Sequence, residues 1–304
     1  MKNKIRIIYS KNSSEIFNRQ AALGSYIYAL GGLLHQHGYA VSINEHAYET
    51  IKQNTVGQNQ SVVKTPFYKK IIPARIKQVA KDIFLFKRLE KMKKLLMNFQ
   101  DDVILEFYSY GSDVGYALSS KKNIPLIVVY DAPVVDEYHF FNHTNPFFLK
   151  KINKRERDTL LKASATIVYS NAVKEHVWSK IEKQTRMSIH QNIDFTRFDF
   201  IDNKIFDQPI NIGFIGSFLK WHRVDLLVAA FTRLKEEGLP VSLTLLGSGE
   251  EFNAIKKKCA LNKFKTDIVL TGFVDGGELF RLKQQIHIGV MPGSNWYGAP
   301  NKIF

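Results

Sequence analysis

Four short apolar runs between residues 210 and 292 each end at a glycine-bearing turn, and that arrangement limits the chain to few folds. The runs are Ile210–Ile215 before Gly216, Thr244-Leu245-Leu246 before Gly247-Ser248-Gly249, Val269-Leu270-Thr271 before Gly272, and Ile286–Met291 before Gly293. Apolar runs of this length suit parallel strands buried on both faces. After the first run, Val224, Leu227, Val228 and Phe231 recur at helical spacing and supply a crossover helix. The expectation is an open α/β sheet. Ligands of such sheets bind beyond the carboxyl ends of the strands, where all four turns fall. The stretch Asn211–Phe231 reads strand, glycine turn, helix, and aims unpaired backbone N–H groups at one spot suited to phosphate. An ordinary βα turn with no ligand is the alternative, because Gly-x-x-Gly is a weak pattern by itself.

The 304 residues, 45% of them hydrophobic, suffice for two α/β domains with a core each. The polar, Asp-rich stretch Phe200–Pro209 is the expected link, giving a first domain over 1–199 and a second over 200–304. The formal charge is +15, and most of the excess lies before residue 200, where 30 Lys/Arg face 18 Asp/Glu. Such a field attracts polyanions, anionic lipid surfaces or acidic substrates. Nucleic acid is disfavoured as a partner, because no recognisable nucleic-acid motif accompanies the charge. The densest basic stretch is Lys64–Asn98, with eleven Lys/Arg against Asp82 and Glu90. There Ile76, Val79, Ile83, Phe86, Leu89, Met92, Leu96 and Phe99 recur at three and four. This spacing predicts a helix with one apolar stripe, either packed on the core or lying on a membrane surface. No run approaches the ~20 apolar residues of a membrane span. MKNKIRIIYS reads as a first strand and not as a signal peptide. The lone Cys259, in a helical pattern, fits a small core residue and a reducing cytoplasm.

Along the first domain, strands are expected at Ile5–Tyr9, Ala40–Asn44, Val103–Phe107, Leu126–Tyr130 and Thr166–Ser170, with helices between them. Helix Arg19–His37 carries Gly24, Gly31 and Gly32, the last two read as close packing on the sheet. Tyr48–Thr65 is expected as a polar loop. The loops Tyr108–Gly111 and Asp131-Ala132-Pro133 face one cleft if the sheet is parallel. Asp131 there is placed either to orient a hydroxyl or accept a proton, or simply to cap a helix.

The order and spacing of the glycine turns from Ile210 onward resemble the second domain of a GT-B glycosyltransferase of the family 4 (glycosyl transferases group 1) type. Ile189–Phe198, IHQNIDFTRF, is similar to the segment that ends the first domain of that family. The resemblance implies an α/β chain of two Rossmann-like parallel-sheet domains, acceptor-side first and donor-side second. It implies a retaining, metal-independent transferase with no cofactor, taking a nucleotide-sugar donor and a glycan or lipid-linked acceptor in polysaccharide or glycolipid synthesis. A membrane-surface contact through Lys64–Asn98 would bring such an enzyme to the inner face of the cell membrane. Carried over position by position, the donor would meet Gly216, Ser217, Lys220, His222, Gly247, Gly249, Val274, Tyr297 and Lys302. Asp131 would be catalytic, and Arg19 and Gly24 would lie on the acceptor side. The family has Arg, Lys and Gly where this chain has Ser217, His222 and Arg223, and a histidine where it has Asp131. Of two family glutamates seven residues apart, the first aligns with Tyr297 and the second falls one residue past Phe304. The expectation is therefore a second domain incomplete at its C-terminus. The alternative function is a non-catalytic nucleotide- or glycan-binding fragment or partner subunit.

Overall fold

In the computed structural model, the described residues are 3–10, 22–53, 74–142, 147–190, 208–274 and 276–298. The chain divides into two compact units, Met1–Asn192 and Ile193–Phe304.

The first unit runs β1 (Lys4–Tyr9), α1 (Ala22–Gln36), β2 (Ala40–Ile43), β3 (His46–Ala47), α2 (Tyr48–Gln53), α3 (Ala74–Leu96) and β4 (Val103–Phe107). It continues α4 (Val114–Lys122), β5 (Leu126–Tyr130), α5 (Val134–Asn142), α6 (Leu149–Lys162), β6 (Ala165–Val168), α7 (Asn171–Ile181) and β7 (Met187–Ile189). The sheet order is β3-β2-β1-β4-β5-β6-β7, parallel throughout except for the antiparallel β2–β3 pair. Ile7, Ile8, Ile104 and Val128 are wholly buried, as central strands covered on both faces require. The chain leaves β1 toward β2 and re-enters beside β1 at β4, so the strand order reverses there. That reversal opens a crevice at the carboxyl ends of β1 and β4.

The second unit runs β8 (Ile210–Ile215), a 3-10 turn (Lys220–His222), α8 (Val224–Glu236), β9 (Val241–Leu246), α9 (Phe252–Ala260), β10 (Ile268–Gly272), α10 (Gly276–Gln284) and β11 (Ile288–Gly289). All its pairs are parallel, in the order β10-β9-β8-β11. Phe214, Phe218, Val228, Phe231, Leu243 and Leu245 fill the core. Here the order reverses between β8 and β11.

The α/β class and the parallel sheets are as expected. Cys259 is buried, and burial raises its thiol pKa, which suits packing and not nucleophilic chemistry. Two local expectations need correction. Tyr48 begins helix α2 where a polar loop was expected, because its ring packs against Tyr28 and His35 of α1. Gly31 and Gly32 allow that same approach: a Cβ at Gly32 would lie 2.6 Å from the Tyr48 hydroxyl. The helix over the basic stretch exists, and Phe86, Leu89 and Leu96 of the expected stripe face inward, but its first half departs from that stripe. Gln78, Asp82, Phe86, Leu89 and Leu96 are buried, whereas Ile76 is 60% and Ile83 43% exposed. Spacings of three and four link both sets. Tertiary packing selected the one that continues Phe86 and Leu89, leaving Ile76 and Ile83 on the outer side. Gln78 Nε2 bonds Asp82 Oδ1 at 2.9 Å, so the two polar residues partly satisfy each other.

Candidate functional site

In the second unit, the carboxyl-edge turns interlock through their backbones. Gly216 sits at φ 149 after β8 and Gly247 at φ 127 after β9. A Cβ on Gly247 would fall onto the Gly216 carbonyl, so only glycine fits. Gly249 lies equally tight: its Cβ would be 2.7 Å from the Phe218 backbone nitrogen and oxygen. Ladder-like bonds tie these turns, with Gly216 N–H to Leu246 O at 2.9 Å, Gly247 N–H to Gly272 O at 2.8 Å and Phe218 N–H to Ser248 O at 2.9 Å. The loop after β11 closes on the same group, since a Cβ on Gly293 would lie 2.6 Å from Trp221 O. The turns after β8, β9 and β11 thus form one rigid surface at the place where the strand order reverses.

Side chains around that surface divide into those that hold it and those that face outward. His222 is buried, its ring against Phe214 at 5.8 Å, and its Nδ1 lies within hydrogen-bond distance of the Ser217 carbonyl, which accepts from it. It therefore pins the turn. Lys220 is exposed, and its backbone N–H donates to Glu250 Oε1 at 3.2 Å. Arg223 stands at the start of α8 in the left-handed region, φ 50, and makes no side-chain cap. Its guanidinium pairs with Asp225 at 3.1 Å, which lowers the Asp225 carboxyl pKa. The first turn of α8 thus has no side-chain cap from Arg223, whose charge is paired with Asp225 of that turn, and Lys220 stands exposed alongside. A pocket of about 320 Å³ opens between the 3-10 turn and the starts of α8 and α9, lined by Lys220, Arg223, Asp225 and Glu251 among others. Because Arg223 carries left-handed backbone strain, Arg223→Gly is expected to raise the urea midpoint with an unchanged slope. The exposed pair it forfeits is worth little.

Val274 follows β10, half-buried next to Phe273, which is 81% exposed. Tyr297 lies on the loop after β11, edge-to-face with Trp296 at 5.2 Å between ring centroids. The fold therefore brings Gly216, Ser217, Lys220, His222, Gly247 and Gly249 together, and sets Val274 and Tyr297 on neighbouring loops of the same edge. Lys302 and Arg19 lie outside the described residues. Among the described residues, no group of three His, Cys, Asp or Glu side chains is placed to hold a metal ion.

The first unit has its own edge. Asp131 follows β5, half-buried, three residues before Val134 opens α5. Gly24 is buried near the start of α1. At the crevice between β1 and β4, the hydroxyls of Ser10 and Ser109 bond each other, and Arg88 Nη2 donates to Ser10 O at 2.6 Å. Asn44, at φ 49 after β2, grips Tyr9 through both its N–H, at 2.9 Å, and its carbonyl, at 3.0 Å. Ser10, Asn44, Arg88 and Ser109 were not singled out from sequence. For Ser10, Asn44 and Ser109 the available signal was their place just after β1, β2 and β4; Arg88, within α3, carried none.

Comparison with known proteins agrees with this geometry. Residues 209–304 match the family described as Glycosyl transferases group 1. No curated protein gives a significant sequence match. Among solved structures, the sucrose-phosphate synthase of Thermosynechococcus elongatus superposes with a TM-score of 0.60 at 15% identity, covering 96% of this chain and 76% of that one. The lipopolysaccharide outer core galactosyltransferase WaaB superposes with a TM-score of 0.55 at 11% identity, covering 93% and 72%. TarM gives 0.49 at 16% identity, and the match spans only 40% of the TarM chain and 68% of this one. At such identities the likeness is one of fold, and the fold is that of the GT-B glycosyltransferases.

Proposed function

We propose that the chain is a retaining, metal-independent glycosyltransferase that moves a sugar from a nucleotide-sugar donor to a glycan or lipid-linked acceptor. The product would be a cell-surface polysaccharide or glycolipid, made on the cytoplasmic side, with the enzyme peripheral to the membrane. The observation that carries the reading is the interlocked glycine surface at Gly216, Gly247 and Gly249, which lies within the stretch that matches the family. A nucleoside diphosphate is the leaving group of such a transfer. It needs donors fixed before its charge develops, because preorganised dipoles stabilise that charge without reorganising. The first turn of α8, without a side-chain cap and beside the exposed Lys220, supplies donors there, and Arg223 stands next to it paired with Asp225. Asp131 is the acceptor-side carboxylate in this reading, suited to hold an acceptor hydroxyl. Gly24 and Arg19 complete that side, and Val274, Tyr297 and Lys302 complete the donor side.

The test is the thermal midpoint of the full chain with UDP, GDP or ADP at millimolar concentration. One nucleotide should raise it, by the equivalent of about 2.7 kcal/mol when present at a hundredfold over its dissociation constant. A folded chain that responds to none of the three would overturn the donor site as drawn.

A further inference from the structure

The outward face of α3 presents a surface that the core does not use. Ile76 is 60%, Ile83 43% and Phe84 70% exposed on its first half. The second half continues the same side with exposed Lys87, Lys91 and Lys94. Large apolar side chains clustered this way mark a contact surface. The start of α6 extends it: Phe147 is 70% exposed and packs edge-to-face on Phe148 at 4.9 Å, and Phe148 packs on Phe86 at 5.2 Å. Between the two helices lies a groove of about 510 Å³ with Ile83, Phe86 and Phe148 on its floor and Lys87, Lys91, Lys94 and Lys151 at its rim. Its acid, Glu90, is tied to Lys93 at 2.6 Å. Lys151 also lies over the Phe86 ring at 4.5 Å. Among the described residues, no helix is long and apolar enough to cross a membrane.

We propose that this face, α3 from Ile76 to Lys94 with the start of α6, docks the chain on an anionic lipid bilayer. Phe84, Phe147 and Ile83 enter the headgroup boundary, and the lysines meet lipid phosphates. An apolar tip inside a cationic rim is complementary to such a surface, since burial of the aromatics and attraction of the lysines act at one depth. A protein partner with an apolar patch would not need the four cations Lys87, Lys91, Lys94 and Lys151 on one side, and a soluble polyanion would not need the aromatics. The proposal gives a place to the membrane contact of the functional reading above and rests on that reading only for its purpose.

The experiment is flotation of the full chain with vesicles of phosphatidylcholine alone or with about half phosphatidylglycerol. Binding is expected only to the anionic vesicles and to weaken with salt. The double variant Phe84→Ser/Phe147→Ser leaves the charge unchanged and alters exposed side chains only. It should bind at least about tenfold more weakly. Lys87→Glu/Lys91→Glu should do the same, whereas Lys256→Glu/Lys257→Glu, an equal charge change on α9 of the second unit, should stay within about threefold of the parent. Equal losses from both lysine pairs would overturn the proposal in favour of unspecific charge. So would a self-associating chain whose dimer, but no vesicle binding, is lost in the serine variant. Nucleotide-dependent thermal shifts on the same variants should be unchanged. Vesicle binding without any nucleotide shift would break the transferase reading and leave this surface standing, and the reverse result would break only the surface.

Discussion

Replacing Gly247 by alanine should destabilise the second unit by about 2–4 kcal/mol and remove its response to nucleotide. Two independent costs coincide at this residue. Its φ of 127 is a conformation that L-residues avoid, and a Cβ would occupy the position of the Gly216 carbonyl. The backbone on either side is held by the Gly216–Leu246 and Gly247–Gly272 bonds, so relief must come from moving the turns themselves. Those turns are the proposed donor surface, so stability and binding should fall together. Gly238→Ala separates the two costs. Gly238 also has positive φ, 82, but nothing lies within 4 Å of its added Cβ. That variant should lose only about 1 kcal/mol and keep the nucleotide response. Urea unfolding followed by nucleotide-dependent melting checks both. A Gly247→Ala chain that still melts higher with nucleotide would mean that the β8 and β9 turns are not the binding surface.

Glu106→Gln should abolish a pH dependence of stability that the parent chain shows between about pH 4.5 and 7. Glu106 lies on β4 with no exposed surface, accepting from Ser112 Oγ at 2.5 Å and from Gly115 N–H at 3.1 Å. Burial dominates over those bonds and pushes its pKa up to about 7, from an ordinary 4.5. The folded state therefore binds the proton more tightly than the unfolded state does. The stabilising contribution is complete below pH 4.5, declines as pH rises toward 7 and is lost above it. At ~1.4 kcal/mol per pH unit, the span corresponds to about 3 kcal/mol. Glutamine fits the same place, with its carbonyl accepting from Gly115 and its amide donating to Ser112. The variant should match the parent near pH 4.5 and exceed it at pH 8. Denaturant titrations of the two chains at pH 5, 6, 7 and 8 give the difference directly, and a difference independent of pH would show that Glu106 is already ionised throughout.

The legible part of this protein was its periodic part. Apolar runs such as Ile210–Ile215 and Leu126–Tyr130 became parallel strands because a run of that length has no polar face to expose. The helical spacing of Val224, Leu227, Val228 and Phe231 placed those residues inward, and all four are buried. The glycine turns after these strands were visible as candidate site elements for the same reason, since their place at strand ends is a matter of order along the chain.

What sequence left open were choices between faces and roles of equal local merit. In α3, Ile76 and Ile83 share one run of three-and-four spacings with Phe86 and Leu89, and only packing against the rest of the first unit turned them outward. His222 and Lys220 are both basic residues in one short turn, yet the ring of the first lies against Phe214 and pins Ser217 while the second stays at the surface. Glu106 reads as an ordinary strand carboxylate until burial makes its proton part of the fold. Sequence by itself thus determined the α/β class and the glycine-bearing turns at the strand ends, because backbone sterics and hydrophobic period are local properties. Tertiary structure decided which turns touch, which stripe of α3 faces solvent and which charges are buried, because those outcomes depend on atoms brought together from distant parts of the chain.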